Sequence, residues 1–311
     1  MIADPTLSHW HILGAGAIGG LWALRLHSIG CRVTLVERAP LSPERHLQLT
    51  DNSHTSCHDF PVVAANAAIL PLSPLLITTK ASDTLAALTP LLPRLNAGDT
   101  VLLLQNGMGI DDWLRQQRPD LQILTAITTD GVFRPTRDHL VMAGHGETLI
   151  GGDTAVEQEA ALQIARQWQK TGEAVQAVAD IQRRRWQKLA INCAINPLTT
   201  RYRCCNGALL DMPEALFAMQ SICAEVAVVM RLEGHPASTA SLFDAACAVA
   251  RQTGTNTSSM LADVQAKRPT EIDFMNGHIV TMARKHGIDT PANARITAEV
   301  RALHPHPAGS N

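Results

Sequence analysis

The stretch HWHILGAGAIGGLWALRLHSIGCRVTLVER, residues 9–38, decides the fold. Trp10-His11-Ile12-Leu13 is a short apolar run that stops at glycine, which predicts a strand. Ile18 to Ser28 carries a helical pattern closed by Gly30, and Arg32 to Val36 predicts a second strand. Between the first strand and the helix lies Gly-x-Gly-x-x-Gly, at positions 14, 16 and 19. The three glycines differ in what they allow. Gly14 permits the tight turn, Gly16 lets the backbone approach a pyrophosphate, and Gly19 allows the helix to pack closely on the strand. The helix N-terminus adds unpaired N–H groups and a favourable dipole. The motif alone is weak, but it follows a strand and opens a helix, the context it requires. Gly14, Ala15, Gly16, Ala17, Ile18 and Gly19 are therefore candidate dinucleotide-binding residues.

Outward from this unit, strands are expected at Leu75–Thr79, Thr100–Leu104, Ile123–Ile127 and Thr148–Ile150, with helical stretches between several of them. Such alternation predicts βαβ units and a mostly parallel sheet. A helix near Glu157–Thr171 and an extended run at Glu173–Ala179 follow. Strand signals then stop. Helical patterns occupy Ile181–Asn196, Pro213–Glu233, Thr239–Gln252, Glu271–His286 and Ala292–Leu303. The expected architecture is α/β: a Rossmann-type doubly wound domain over residues 1–179, then an all-α substrate and catalytic domain over 180–311. The His- and Pro-containing tail 304–309 is expected to be disordered.

Composition narrows the function classes. The 311 residues carry a formal net charge of −2, so no strong field draws the chain to nucleic acid or an anionic membrane. The longest apolar candidate for a membrane span, Ala64 to Thr79, is interrupted by Asn66, Pro71 and Pro74. Seven cysteines without a Cys-x-x-Cys pair, two of them adjacent at Cys204-Cys205, read as reduced thiols of a cytoplasmic protein. The early Asp4 and Pro5 do not resemble a signal peptide. His54, Cys57 and His58 cluster on a segment that reads as a loop or edge strand; without a fourth ligand no metal site is expected. Met219–Met230 spaces Met and Val as a core helix does.

The end of the second strand separates NAD from NADP, because an acid there takes the ribose 2′-OH whereas an arginine accommodates a 2′-phosphate. Here Glu37 and Arg38 stand side by side, and Lys80 ends another strand on the same sheet edge. Two cations against one acid favour NADP. Lysines are scarce, five in all, which draws notice to Lys188. Lys188, Asn192 and Asn196 are spaced i, i+4, i+8, a polar stripe on an otherwise apolar helix. Such a stripe needs partners. A keto acid would supply them, and Lys188 would protonate its carbonyl oxygen; asparagines packed against backbone are the plainer alternative. Asn106-Gly107-Met108-Gly109 follows the strand Thr100–Leu104, where open α/β sheets bind ligands. Thr270-Glu271-Ile272-Asp273 reads as a capped helix start with Glu271 in its first turn.

Taken together, the glycine loop, Asn106-Gly107-Met108-Gly109, Lys188-x3-Asn192-x3-Asn196-Pro197-Leu198-Thr199, Asn206-Gly207, Ser258-Ser259-Met260-x2-Asp263 and Thr270-Glu271-Ile272-Asp273-x2-Asn276-Gly277 resemble the ketopantoate reductases (2-dehydropantoate 2-reductases) over nearly the whole chain. The resemblance implies NADPH-dependent reduction of 2-dehydropantoate to (R)-pantoate, on the way to pantothenate and coenzyme A, by a monomer or homodimer. It implies Lys188 as general acid, Glu271 beside the nicotinamide ribose, Asn106 at both cofactor and substrate, and Asn192, Asn196, Asn206 and Ser259 at the substrate's hydroxyl and carboxylate. It also implies Arg38 and Lys80 at the 2′-phosphate and a backbone contact to cofactor near Val132. The family often has Thr-Thr-His where this chain has Thr128-Thr129-Asp130, an acid expected to alter the mouth of the site. Related sequences act on other small 2-keto acids, which is one alternative; a redox sensor that binds NADPH without turnover is another.

Overall fold

The computed structural model describes residues 8–67 and 71–303; the tail 304–309 lies outside them. The chain divides into two compact units, Met1–Gln105 with Ile110–Ile181, and Asn106–Gly109 with Gln182–Asn311. The tetrapeptide Asn106–Gly109 thus belongs with the helical unit, although it follows a sheet strand.

In the first unit β1 (His9–Leu13), α1 (Ala17–Ser28) and β2 (Arg32–Glu37) form the opening βαβ unit. Then come β3 (Glu44–Asp51), β4 (His54–Ala64), β5 (Leu75–Ile77), α2 (Ala81–Leu88), β6 (Thr100–Leu103), α3 (Ile110–Gln117), β7 (Gln122–Thr128), β8 (Gly131–Phe133), β9 (His139–Gly144), β10 (Glu147–Gly151), α4 (Ala155–Trp168) and β11 (Ala174–Ala177). Among the described residues these make an 11-stranded sheet of order β11-β10-β7-β6-β5-β1-β2-β4-β3-β9-β8. The run β4-β2-β1-β5-β6-β7 is parallel throughout. Its order reverses between β1 and β5, the switch point where open α/β sheets bind ligands.

Buried aliphatic strand residues and three tryptophans fill this core. Trp22 of α1 stacks on Trp168 of α4 with ring centroids 3.8 Å apart, and Trp10 lies 5.4 Å from Trp168. Beneath α1, Arg25 pairs with Asp130 at 2.5 Å and Glu173 at 2.9 Å, and all three side chains are largely buried. Burial alone would push the Asp130 carboxyl up; hydrogen bonds from Arg25 and the Gly146 amide outweigh it and hold the group below its ordinary value. Asp130 is therefore a counter-ion inside the fold. Of the two readings of residues 54–58, loop or edge strand, the strand holds: they open β4, pair antiparallel with β3 alone, and only the end of β4, Val62–Ala64, also pairs, in parallel, with β2. Among the described residues no group of three or more His, Cys, Asp or Glu could hold a metal ion.

The second unit contains most of α5 (Ile181–Tyr202), then α6 (Pro213–Leu232), α7 (Thr239–Gln252), α8 (Ser259–Gln265), α9 (Asn276–Lys285) and α10 (Pro291–Leu303). One face of α6, including Met219, Ile222, Cys223, Val226 and Met230, forms its core with Cys193, Ala194 and Leu198 of α5. Although α6 is long and apolar enough to cross a membrane by length and composition, with mean hydropathy 1.6, it serves here as a core helix. Among the described residues it is the one helix that meets this criterion of length and composition.

Helix α5 runs past its expected end at Asn196 and through Pro197. Proline has no N–H, so the Cys193 carbonyl loses its helical partner. The Asn276 amide replaces it, donating to that carbonyl at 3.1 Å and to Asn293 Oδ1 at 3.0 Å. Asn293 in turn donates to Glu225, through its backbone N at 2.9 Å and its side chain at 2.7 Å. Asn276 and Asn293 are both fully buried. The chain thus ties α5, α9, α10 and α6 together. Replacing Asn276 with Ala will cost about 1–3 kcal/mol in chemical denaturation, by orphaning a buried carbonyl. Pro197→Ala restores an N–H for Cys193, so the same replacement will cost less in that background. Fully additive costs would show that Asn276 does not act through the Cys193 carbonyl.

Candidate active site

At the end of β1, Gly14 has φ +94°. A Cβ there would lie 2.6 Å from both Cγ2 and the backbone N of Thr79. At Gly19 a Cβ would lie 2.3 Å from Thr78 Oγ1 and 2.4 Å from the Gly14 carbonyl. At Gly16 the nearest atom would be 3.8 Å away. Two glycines therefore allow β1, α1 and the end of β5 to close together, while the middle one leaves open space. Thr78 Oγ1 fixes the loop by donating to the Gly14 carbonyl at 2.7 Å. Helix α1 begins with no side-chain cap and no acid in its first turn. Its N-terminal N–H groups and the space over Gly16 suit a pyrophosphate. Sequence reasoning missed Thr78 and Gln105; the Gln105 amide donates to the Thr79 carbonyl at 2.6 Å.

Beside this loop Arg38 is exposed just beyond β2, and Lys80 is half-buried as α2 begins. Glu37 accepts from Arg45 Nη1 at 2.8 Å and Arg137 Nη2 at 3.0 Å. Arg134 donates to the Ala15 carbonyl at 3.4 Å. Val132 is half-buried in β8 opposite Met142, packed on the core of the first unit. Of these, Arg45, Arg134 and Arg137 carried no signal, because partners such as Asp138 for Arg45, Ala15 for Arg134 and Glu37 for Arg137 are remote in sequence.

In the second unit α5 presents Lys188, Asn192 and Asn196 along one face, the first two half-buried and the third buried. Lys188 Nζ donates to Asn106 Oδ1 at 3.1 Å. Burial lowers the Lys188 pKa from 10.5, the nearby Glu271 carboxylate raises it in part, and the result is about 8. Glu271 is itself buried. Asn106 is held by its neighbours: Gly107 has φ +83°, a Cβ there would lie 2.7 Å from the Phe274 carbonyl, and the Met108 amide donates to that carbonyl at 3.2 Å. The structure thus brings Asn106, Lys188 and Glu271 together from three separate segments.

The region around Glu271 departs from expectation. Thr270 does not cap a helix. Glu271 instead precedes a 3-10 turn, Ile272–Phe274, and α9 starts only at Asn276. The Asn196 amide makes a long contact of 3.9 Å to Met275 Sδ. The Asn192 amide makes no hydrogen bond among the described residues. Asn206 donates from its amide to Thr253 Oγ1 at 2.8 Å, while its buried Oδ1 has no hydrogen-bond partner. Ser259 is exposed at the start of α8; its neighbour Ser258 caps that helix and meets Thr199 Oγ1 of α5 at 2.7 Å. No hydrogen bond among the described residues joins Asn206 or Ser259 to the Lys188–Asn106 pair.

Comparison with known proteins gives the family. Residues 10–153 match the family model for ketopantoate reductase PanE/ApbA, and residues 180–304 match that for its C-terminal region. A 2-dehydropantoate 2-reductase of Vibrio cholerae is 38% identical over 292 residues, covering 94% of this chain and 96% of its own. A PanE/ApbA family ketopantoate reductase from Ralstonia eutropha superposes with TM-score 0.83 at 26% identity, over 95% of this chain and 98% of that one. D-mandelate dehydrogenase, solved with NADH and anilino(oxo)acetate, shares the fold with TM-score 0.87 at 23% identity, over 95% and 98% of the two chains. On the two family matches and the similarity that runs through both units, the chain belongs to the ketopantoate reductase PanE/ApbA family.

Proposed function

We infer that this chain is an oxidoreductase that reduces 2-dehydropantoate to (R)-pantoate with NADPH. The observation that carries the reading is Lys188, desolvated beside Glu271 and hydrogen-bonded to Asn106. When bound, the reduced nicotinamide supplies the hydride that C2 of the keto acid accepts. As C2 is reduced its oxygen becomes an alkoxide and needs a proton. An ordinary lysine at pKa 10.5 is a sluggish acid at neutral pH. With a pKa of about 8, Lys188 is still mostly protonated at pH 7 and gives its proton up far more readily. Asn106 Oδ1 accepts from the ammonium and so holds Nζ in one direction.

The remaining polar groups sort by chemistry. Asn192 and Asn196 lie on the same face as Lys188, and their amide N–H groups suit the substrate carboxylate. The Asn206 Oδ1 can only accept, so it suits the substrate's hydroxyl rather than its carboxylate. Ser259, exposed at the start of α8, is assigned to the substrate by its place in the motif. The cofactor is assigned to the loop Gly14–Gly19, with Arg38 and Lys80 at the 2′-phosphate and a backbone contact near Val132. The open space over Gly16 and the uncapped start of α1 support that assignment.

Steady-state NADPH oxidation with 2-dehydropantoate, beside a panel of other 2-keto acids, tests the substrate; a clear preference for another acid would overturn it. With the right substrate, kcat/KM will stay level up to about pH 8 and fall about tenfold per unit above, as Lys188 loses its proton. Lys188→Ala will lower kcat by about 10²–10⁴ and leave NADPH binding intact. An unchanged kcat would sink the general-acid role. Gly16→Ala will keep the wild-type Tm yet weaken NADPH binding at least about tenfold, because the added methyl fills the space meant for phosphate. Gly19→Ala will instead lower Tm, through its collision with Gly14 and Thr78.

A further inference from the structure

Glu37 is the last residue of β2, where an acid takes the ribose diol of NAD. By that position alone, this chain should favour NADH. The surroundings of Glu37 contradict this. Oε1 accepts from Arg45 and Oε2 from Arg137, so each carboxylate oxygen is engaged by a guanidinium. Only 13% of the Glu37 side chain remains exposed. Arg45 is itself immobilised, by Asp138 Oδ1 at 2.6 Å and the Arg137 carbonyl at 2.7 Å. The anchors come from elsewhere in the fold: Arg45 from β3, Arg137 and Asp138 from the connection between β8 and β9. The same connection reaches the glycine loop through Arg134 and the Ala15 carbonyl.

We propose that Arg45 and Arg137 act as specificity-determining residues, turning Glu37 from a ribose acceptor into a neutralised anchor, and that Arg137 joins Arg38 in holding the 2′-phosphate. The proposal rests on the NADPH reading given above and deepens it. A bare carboxylate at Glu37 would repel a phosphate and attract a diol. A carboxylate shared by two arginines does neither with force. Four guanidinium groups, those of Arg38, Arg45, Arg134 and Arg137, then stand against the two carboxylates of Glu37 and Asp138, leaving an excess of positive charge. Arg137 keeps 45% of its side chain exposed, so its outward N–H groups remain open to a phosphate. A guanidinium can bridge a carboxylate and a phosphate at once, since its five donors point in fixed directions.

The test measures Kd for NADPH and NADH on the protein without substrate, by fluorescence or calorimetry, with circular dichroism as the check on folding. Wild type is expected to bind NADPH at least about tenfold more tightly. Arg137→Ala is expected to lose about tenfold in NADPH affinity, with NADH within about twofold or tighter. Adding Arg45→Ala frees Glu37 and should tighten NADH further; adding Glu37→Gln to that pair should cancel the gain. In wild type, Glu37→Gln should leave NADH binding unchanged. An Arg137→Ala protein with an unaltered NADPH-to-NADH ratio overturns the proposal, as does weaker NADH binding in the Glu37→Gln single variant. If the Arg45 variant fails to fold, Arg137→Ala and Glu37→Gln decide alone. Equal binding of the two cofactors by wild type would instead overturn the NADPH reading itself.

Discussion

The break in the α5 hydrogen-bond ladder governs how the helical unit is built. Pro197 frees the Cys193 carbonyl inside a dry core, where an unpaired carbonyl is costly. The repair comes from Asn276, 83 residues onward, and Asn276 is placed by Asn293 and Glu225. Glu225 also accepts from the Ala292 backbone, so it closes the start of α10 as well. One missing N–H therefore fixes the packing of α5 against three other helices. Lys188, Asn192 and Asn196 ride on α5 ahead of the break. Their shared direction follows from the i, i+4, i+8 spacing on that helix, and the repair at Cys193 sets how the helix packs on its neighbours.

A second constraint is electrostatic. Holding Lys188 near pKa 8 instead of 10.5 means that the fold disfavours the ammonium by roughly 3 kcal/mol. Without Glu271 the penalty would be larger and the Lys188 pKa lower. A fully solvated carboxylate would be screened, oppose the burial less, and leave Lys188 lower still. Burial of both groups sets the compromise, and the 3-10 turn after Glu271 maintains it. A regular helix beginning at Thr270 would have aimed the carboxylate by helix geometry. The observed turn instead lets Phe274 pin the Asn106–Gly109 segment through its carbonyl. The departure from the expected cap is thus what joins the third member of the group to the other two.

The legible parts of this chain are those where local sequence and tertiary structure agree. The strand–glycine–helix unit reads correctly because its turn demands residues without Cβ, as the crowding at Gly14 and Gly19 confirms. Helices α6, α7 and α10 keep an apolar face against their own core and are visible by period. The β3–β4 hairpin is not, because its residues are mostly half-exposed and polar, with Leu47, Phe60 and Val62 alone marking the buried face. The β8–β9 pair is short and offset by a bulge. Helix α5 outruns its expected end, since proline normally stops a helix unless a distant side chain serves the freed carbonyl. Lys188, Asn192 and Asn196 are legible as a stripe; their partners are not, since no local pattern connects residue 106 to 188 or 37 to 137.

The scarcity of lysine has a physical counterpart in this arrangement. Only five of the 26 basic residues are lysines. The most buried ion-paired acids of the first unit are held by arginine instead: Asp130 by Arg25, Glu37 by Arg45 and Arg137, and Glu157 by Arg115 at 2.7 Å. Arginine suits this duty because its fork holds a carboxylate geometrically and its charge survives burial. The same persistence disqualifies it from donating a proton. Lysine has the opposite character: its charge is compact, loosely directed and readily weakened by desolvation. A lysine facing Asp130 or Glu37 would risk losing its proton and leaving a buried carboxylate unpaired. An arginine at position 188 would remain charged and never act as an acid. The chain therefore places arginine where a charge must stay and lysine where a proton must leave.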